Sequence, residues 1–267
     1  MSSEGKTVVL ITGANTGIGY EAVRALALSA RSYHVFLGSR SVENGKEAAD
    51  AIKKEYPQTS IVMEVAQIDV SSDDSINSAF QKVEQSTGYI DVLINNAGHS
   101  LDNRATKGEL TMREAWNQMF DVNVSGAQVL THKFVPLLLK SSDPRLVFLT
   151  SGLAQLETMS KGFYPGQHPK AGWPKTGYLN ADGYRTTKTG LNMMMLNWHW
   201  VLKEDGVKVW SLSPGMLATN LGGMKEKLKA MGAGDPSIGG NLLTEIVEGK
   251  RDADVGKVVN LQGVQPF

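Results

Sequence analysis

Residues 7–19, with the sequence Thr7-Val-Val-Leu-Ile-Thr-Gly-Ala-Asn-Thr-Gly-Ile-Gly19, decide the fold. Thr7 to Thr12 form a β-branched apolar run, which is typical of a buried strand. Gly13 suits the tight turn that follows, while Gly17 and Gly19 let a ligand approach the backbone where the next helix begins. A helix amino terminus also favours an anion through its free N–H groups. A glycine-rich turn without a ligand is the alternative, but the strand–turn–helix context favours a cradle for the pyrophosphate of a dinucleotide.

Strands and helices alternate along the rest of the chain. The hydrophobic pattern predicts strands at 7–12, 34–38, 61–68, 91–94, 145–150, 207–212 and 257–261. It predicts helices at 18–30, 42–55, 72–86, 112–140 (interrupted near Pro136) and 184–203. Such alternation implies right-handed crossovers and a parallel sheet. We therefore expect an α/β protein with a single-domain Rossmann fold over residues 1–267, a doubly wound seven-stranded parallel sheet with helices on both faces.

Composition excludes several classes of protein. Of the 267 residues 41% are hydrophobic and 20% charged, which is ordinary for a globular domain, and 27 basic residues balance 27 acidic ones, which argues against nucleic acid as a partner. There is no cysteine, and the five histidines lack ligand spacing, so no metal site is expected. The longest apolar runs are too short to span a membrane, and the polar amino terminus does not resemble a secretory signal. A soluble cytoplasmic protein is the expectation.

Further motifs follow the glycine-rich turn in a fixed order. Asn95-Asn-Ala-Gly98 comes directly after the fourth predicted strand, and Tyr184-Arg-Thr-Thr-Lys188 lies on a predicted helix. Asn123, Ser151 and Pro214-Gly215 also match one family pattern. Together with the Gly-x-x-x-Gly-x-Gly spacing, these residues resemble the short-chain dehydrogenase/reductase family from about residue 7 to residue 261. The resemblance implies a nicotinamide cofactor and hydride transfer between it and a carbonyl or alcohol carbon.

The resemblance also implies which residues contact the cofactor. They are Gly13, Asn15, Thr16, Gly17, Ile18, Gly19, Ser39, Arg40, Asp69, Val70, Asn96, Ala97, Gly98, Tyr184, Lys188, Pro214, Gly215 and Thr219. Asp69 and Val70 resemble the pair beside the adenine, although a helix cap explains Asp69 equally well.

The end of the second predicted strand indicates which nicotinamide cofactor is used. An NAD site places a carboxylate there, but this chain has Ser39-Arg40 and no acidic residue before Glu43. Arg40 can pair with a 2′-phosphate, and Ser39 can add a hydrogen bond, so NADP(H) is predicted. A solvated arginine is the alternative, and Thr16 stands where many NADP-preferring relatives have a second basic residue.

Four residues form the predicted catalytic set. Tyr184 and Lys188 are four apart, so they share one helix face. A free phenol has a pKa near 10, and we expect the ammonium, together with oxidised nicotinamide, to lower it. By the resemblance Tyr184 exchanges the proton, Lys188 holds the nicotinamide ribose, Ser151 hydrogen-bonds the substrate oxygen and Asn123 holds a water in a proton relay.

Two segments lack strong periodicity and are expected to shape the substrate pocket. Residues 155–183 form an insertion that resembles the carbonyl-reductase branch; it is either a pocket wall that also blocks tetramer formation or a plain surface loop. Residues 216–241 are predicted to be a glycine-hinged lid. The predicted substrate contacts are Ser151, Leu153, Tyr184, His99, Met216 and Leu217.

The leading functional hypothesis is an NADPH-dependent reductase of a ketone, aldehyde or quinone carbonyl. An alcohol dehydrogenase that works oxidatively in secondary metabolism is a second reading. A non-catalytic NADP(H)-binding regulatory protein is a third, which the presence of both Tyr184 and Lys188 disfavours. The expected partner is a small-molecule carbonyl or alcohol, with a monomer or dimer favoured over a tetramer.

Overall fold

The computed structural model describes residues 5–163, 168–175, 178 and 180–267. Its strands are β1 (Thr7–Ile11), β2 (Tyr33–Ser39), β3 (Val62–Gln67), β4 (Val92–Asn95), β5 (Arg145–Leu149), β6 (Lys208–Leu212), β7 (Val258–Asn260) and β8 (Gly263–Gln265). Its α-helices are α1 (Gly17–Ala27), α2 (Val42–Glu55), α3 (Asp73–Ser86), α4 (Asp102–Thr106), α5 (Met112–Phe120), α6 (Gly126–Leu138), α7 (Leu156–Ser160), α8 (Asp182–Val201), α9 (Lys225–Ala230) and α10 (Ser237–Val247).

These strands form one sheet in the order β3-β2-β1-β4-β5-β6-β7-β8. Neighbours from β3 to β7 pair in parallel, which confirms the single-domain, doubly wound α/β fold. The expected number of seven strands is one too few. The chain turns back after β7, and β8 pairs antiparallel with it through Asn260 and Gly263. A strand of three residues is too short to give a period-2 pattern, which is why the sequence did not predict it.

Helices cover both faces of the sheet. One core packs α3, α6 and α8 against it, with Phe36, Phe134 and Phe148 fully buried. The other core packs α1, α2 and α10 on the opposite face, around Tyr33 and Trp210. The β-strands are near-continuous apolar runs because both of their faces are buried.

The long helix predicted at 112–140 is interrupted, but not at Pro136. Residues Asp121–Ser125 form one turn of π-helix between α5 and α6, whereas Pro136 lies inside α6. The prediction placed the break wrongly because it used the proline, and a π-turn carries no such composition signal.

The predicted lid at 216–241 is more regular than expected. It contains α9 and the first turns of α10, and Leu217 forms an isolated parallel bridge with Gly234. Helix α10 packs closely on α1, since a Cβ at Gly240 would lie 2.5 Å from the carbonyl carbon of Glu21. The end of this segment therefore belongs to the framework of the domain.

Candidate active site

The glycine-rich turn after β1 has the conformation that a phosphate cradle requires. Gly13 and Gly17 have φ values of +61° and +58°, a region that residues with side chains rarely adopt. A Cβ at Gly19 would lie 2.5 Å from Asn96 Nδ2. Only glycine therefore fits these three positions.

Helix α1 begins in a way that leaves room for an anion. Helices α2 and α3 are capped by the hydroxyls of Ser41 and Ser72, which accept hydrogen bonds from backbone N–H groups. At α1 the N-cap is Thr16, and among the described residues no side chain caps it. The first-turn N–H groups of α1 thus fit a bound phosphate, which satisfies the donor requirement of the helix end.

Asn96 supports the turn from behind. Its Nδ2 donates to the carbonyl oxygens of Thr12 (2.7 Å) and Gly13 (3.0 Å). The Thr12 hydroxyl in turn accepts from the backbone N–H groups of Asn96 and Ala97, both at 3.0 Å. These contacts join the ends of β1 and β4, so the amide of Asn96 shapes the cradle.

The end of β2 presents one basic side chain to solvent. Arg40 is exposed, whereas Ser39 is buried and its hydroxyl donates to the carbonyl oxygen of Ser41 at 2.8 Å. Asp69 accepts from the N–H (3.0 Å) and hydroxyl (2.6 Å) of Ser71. Burial alone would raise the pKa of Asp69, but these hydrogen bonds and the charge of Arg40 lower it. Asp69 is not the cap of the following helix, because Ser72 is.

Tyr184, Lys188 and Ser151 come together at the carboxyl end of β5. Lys188 is 4% exposed, its Nζ donates to the carbonyl oxygen of Leu149 at 2.8 Å, and the same atom lies 5.7 Å from the centre of the Tyr184 ring. We call this group of three residues the catalytic corner candidate, or the corner. Gly98 packs against it, since a Cβ at Gly98 would lie 3.3 Å from Lys188 Nζ.

The pKa values in this corner follow from burial. Burial raises the pKa of the Tyr184 phenol to about 12, opposed by a hydrogen bond with Ser151. Burial also lowers the pKa of Lys188 to about 8. The expected lowering of the phenol pKa by the ammonium is not found in the protein alone, because desolvation dominates and Lys188 points at a carbonyl oxygen. The phenol is therefore neutral at pH 7, which is the proton-donating form.

Both N–H groups of the Asn123 side-chain amide donate hydrogen bonds within the protein. It lies in the π-turn, is 1% exposed, and accepts from His99 N–H at 2.9 Å. Its Nδ2 donates to the carbonyl oxygen of His99 (2.9 Å) and to the hydroxyl of Thr187 (3.0 Å). Asn123 thus ties the loop after β4 to helix α8, and this leaves its amide N–H groups no free donor for a water.

His99 lies at the edge of this corner. Burial lowers the pKa of its imidazole, and a ring nitrogen lies 3.0 Å from the carbonyl oxygen of Gln118. A neutral imidazole bound to backbone suits a polar contact better than acid–base catalysis.

Asp102 holds the helix that carries Tyr184, a role that sequence reasoning missed. It is 5% exposed, and its carboxylate accepts from the N–H groups of Gly183 (2.8 Å) and Tyr184 (3.0 Å). It therefore caps α8 from another element, α4. A cap within four residues of its helix can be predicted from sequence, but one 81 positions away cannot.

Comparison with known proteins identifies the family. A family model described as short chain dehydrogenase matches residues 7–166. A short-chain dehydrogenase/reductase of Talaromyces stipitatus, tropE, is 48% identical over 98% of both chains. The chain belongs to the short-chain dehydrogenase/reductase family. Its members are nicotinamide-dependent oxidoreductases, so this protein is an oxidoreductase of that family.

A second relative supports the family assignment, and a solved structure supports the fold. The short-chain dehydrogenase/reductase eupG of a Phoma species is 43% identical over the full length of both chains. The crystal structure of an NADPH-bound carbonyl reductase from chicken fatty liver matches with a TM-score of 0.76, covering 98% of this chain and 99% of the other at 22% identity. The match to the chicken carbonyl reductase supports the fold of this chain alone.

A cavity of about 340 Å³ opens at Gly152, the residue that follows Ser151. Its walls are Gly152, Ser213, Pro214, Gly215, Met216, Leu217, Gly234, Ile238, Asn260, Leu261, Gln262 and Gln265. The predicted substrate contacts Met216 and Leu217 are among them, whereas Leu153 lies on a smaller hollow with Met159 and Phe163. Thr219 lies close to the cradle, with its Cγ2 3.7 Å from where a Cβ of Gly17 would be.

The predicted insertion at 155–183 is described only in part. Residues 164–167, 176, 177 and 179 lie outside the described residues. The described part contains α7, and α7 contacts α8 where Arg185 Nη2 donates to Met159 Sδ at 3.3 Å.

Two absences concern only the described residues. Among them, no helix has the length and apolar character that crossing a bilayer requires. In the same part of the chain, His, Asp and Glu side chains form no group of three arranged for a metal ion.

Proposed function

We propose that this family member reduces a ketone, aldehyde or quinone carbonyl with NADPH as the electron donor. The observation that carries the proposal is the meeting of Tyr184 and Ser151 next to the buried ammonium of Lys188, close to a cavity of substrate size that Gly152 lines. Each residue type has a use there: a phenol to give a proton, a cation to hold ribose hydroxyls, and a hydroxyl to meet a developing oxyanion.

The cofactor fits the residues present. The pyrophosphate would lie on the N–H groups at the start of α1, in the cradle of Gly13, Gly17 and Gly19. Lys188 uses one of its three N–H donors on Leu149, and the other two remain for the nicotinamide ribose. Bound NADPH would supply the hydride that adds to the substrate carbonyl carbon.

The protein supplies the proton and the electrostatics of this reaction. As the carbonyl carbon gains the hydride, its oxygen becomes an alkoxide and takes the proton of the Tyr184 hydroxyl. Ser151 donates a hydrogen bond to the same oxygen. The ammonium of Lys188 stabilises the resulting phenolate, which is reprotonated from solvent.

Arg40 supports NADP(H) over NAD(H). It is exposed at the end of β2, next to the site where an adenosine ribose would lie, and no carboxylate stands between it and Glu43. The NADPH in the chicken carbonyl reductase is consistent with this choice, but at 22% identity the argument rests on Arg40.

The neutral phenol of Tyr184, with a pKa of about 12, is the form that donates a proton in reduction. The oxidative reading uses the same site in reverse, with the phenolate as base, and the ratio of the two cofactor forms sets the direction. A regulatory protein without turnover would use Lys188 to hold the ribose, but it would have no use for the Tyr184 hydroxyl beside Ser151.

The test is a panel of ketones, aldehydes and quinones with NADPH, followed at the nicotinamide absorbance band. We expect turnover of at least one carbonyl, and a loss of kcat of about 10²- to 10⁴-fold in Tyr184→Phe with an unchanged Kd for NADPH. Tyr89→Phe, which removes the same hydroxyl before β4 at the opposite end of the sheet, is the matched control. Near-normal turnover by Tyr184→Phe would refute the mechanism.

A further inference from the structure

The cavity at Gly152 has two chemically different walls. Met216, Leu217 and Ile238, from the predicted lid, form an apolar wall. Asn260, Gln262 and Gln265 also line the cavity; with Leu261 they come from β7, β8 and the turn between them, which we call the carboxy-terminal hairpin. A ligand that fits both walls has an apolar face and polar atoms at one edge.

Gln265 stands out among the polar residues of this hairpin. It is 6% exposed, and its Oε1 lies 4.0 Å from where a Cβ on Gly152 would be, next to Ser151. Its Nε2 is buried, and no described residue provides it with a hydrogen-bond partner. By contrast, Asn260 uses its Oδ1 to accept from the N–H of Gln262 at 2.9 Å.

A buried amide without a partner destabilises the folded protein. Rotating the amide by 180° does not remove this cost. The buried position would then hold an unpaired oxygen in place of the unpaired nitrogen. Since the protein fixes neither orientation, the amide can present an acceptor or a donor toward Gly152. A hydroxyl group, which both donates and accepts, can hydrogen-bond with either.

We propose that Gln265 recognises a hydroxyl group of the substrate, separate from the carbonyl that is reduced. This inference rests on the proposed function and deepens it: the substrate class is a hydroxylated cyclic or aromatic carbonyl compound. Its ring lies against Met216, Leu217 and Ile238, its carbonyl faces Ser151 and Tyr184, and its hydroxyl faces Gln265.

The experiment compares 2-naphthaldehyde with its monohydroxy derivatives. Their dissociation constants are measured by calorimetry with the NADP⁺-loaded protein, and kcat/KM is measured with NADPH. We expect at least one hydroxy isomer to bind about tenfold more tightly than the parent aldehyde, the size of one hydrogen bond to the amide atom that faces Gly152. Gln265→Leu should remove this preference and leave the affinity for 2-naphthaldehyde within about twofold.

Two variants separate recognition from folding. Gln265→Asn keeps the amide but shortens it, so it should retain the thermal stability and lose most of the hydroxyl preference. Gln262→Leu makes the same chemical change at the exposed glutamine that lines the same cavity, and it tests which of the two glutamines binds the hydroxyl: it should keep the preference. If Gln262→Leu removes it instead, the hydroxyl binds elsewhere and the proposal is wrong.

The outcomes also distinguish this inference from the proposed function. Turnover of the aldehydes without any hydroxyl preference, or with a preference that survives in Gln265→Leu, overturns the role of Gln265 and leaves the reductase assignment standing. A Gln265-dependent preference in binding without turnover supports the subsite and overturns the reductase assignment. Failure of every aldehyde to bind overturns the subsite.

Discussion

Lys188 carries its charge in a site that burial makes unfavourable for a cation. Its pKa is lowered to about 8, so the ammonium is present below that pH and is lost as the pH rises through it. The Tyr184 phenol, with a pKa raised to about 12, stays protonated over the same interval. The charge of Lys188 is thus the first of the two to be lost as the pH rises.

We therefore expect kcat/KM for carbonyl reduction to fall above about pH 8 with a one-proton slope. The reason is that a neutral amine neither stabilises the phenolate nor holds the ribose as strongly. Lys188→Arg keeps a cation at every accessible pH, so its residual activity should lack this inflection. The measurement is kcat/KM against pH from 6 to 10 at saturating NADPH, and the same inflection in Lys188→Arg would contradict the assignment.

At the residue scale we also expect Arg40 to set the preference between cofactors. Charge-assisted hydrogen bonds to a 2′-phosphate contribute about 1.5–3 kcal/mol, or roughly 10- to 100-fold in affinity. Arg40→Asp should lose at least that factor in kcat/KM with NADPH, because the carboxylate also repels the phosphate, and should gain with NADH.

The control for Arg40 is Lys46→Asp, which makes the same charge change on the exposed face of α2. It should leave the NADPH-to-NADH ratio within about twofold, since charges on the surface are screened by salt. Equal efficiencies with the two cofactors in the unmodified protein would remove the role of Arg40.

At the scale of elements, helix α8 depends on a cap that belongs to α4. The Asp102 carboxylate accepts from the first N–H groups of α8, including that of Tyr184 itself. Asp102→Asn replaces one acceptor oxygen with an amide NH₂ group, so that two hydrogen-bond donors face each other. We expect a loss of about 2 kcal/mol in the free energy of unfolding, together with a lower kcat, since the phenol that we propose as the proton donor lies in the loosened turn.

Asp182→Asn is the matched control, because Asp182 is an exposed carboxylate in the same first turn. Its unfolding free energy in urea should change by less than about 0.5 kcal/mol. A value for Asp102→Asn as small as that of the control would show that the remote cap is unimportant.

Elements with a strong local pattern could be predicted from the sequence, and the others could not. The strand and turn around Gly13 and the helix of Tyr184 follow from apolar periodicity and from residues with special backbone angles. Helix α10 was missed because its glycines, which suggest a loop, exist to let α1 approach: a Cβ at Gly239 would lie 3.0 Å from Ile18. Asp102 and Gln265 gain their roles through distant segments, and local pattern carries no information about those.

Across the whole molecule, an ion-pair cluster joins distant parts of the chain. Arg145, buried at the start of β5, donates to Asp252 (3.1 Å from Nη2), to Asp143 (2.7 Å) and to the carbonyl oxygen of Ile246 (3.0 Å). Lys208 at the start of β6 donates to both carboxylates. The cluster connects β5, β6 and the end of α10.

This cluster predicts a loss of stability in acid. Hydrogen bonds from Arg145 lower the pKa of Asp252, so the stabilisation is present above the ordinary carboxyl pKa of about 4 and is lost as the pH falls through the lower folded value. Asp252→Asn should lower the unfolding free energy by about 1 kcal/mol at pH 7, since the carboxylate is partly exposed, and should flatten the decline below about pH 4. Urea unfolding at pH 7, 5 and 3 measures both.

The comparison variant is Glu109→Gln, which removes the exposed Arg104–Glu109 pair. That pair should contribute less than about 0.5 kcal/mol and leave the acid profile unchanged. An unaltered profile in Asp252→Asn would mean that other carboxylates dominate acid unfolding.

Assembly is the second property of the whole molecule. The insertion at 155–183 contacts α8 through Met159 and Arg185, and we expect this insertion to block a tetramer built on that side. Light scattering should give the mass of one or two 28.9 kDa chains. A clear tetramer would contradict the blocking role.

The bracing of the glycine turn by Asn96 has one more consequence. Because the Asn96 amide donates hydrogen bonds to the carbonyl oxygens of Thr12 and Gly13, the protein fixes the shape of the turn without a ligand. A dinucleotide that docks there meets a rigid receptor and loses little affinity to the ordering of loose chain. We therefore expect this preorganised turn to bind the nucleotide tightly, and to do so before the carbonyl compound binds.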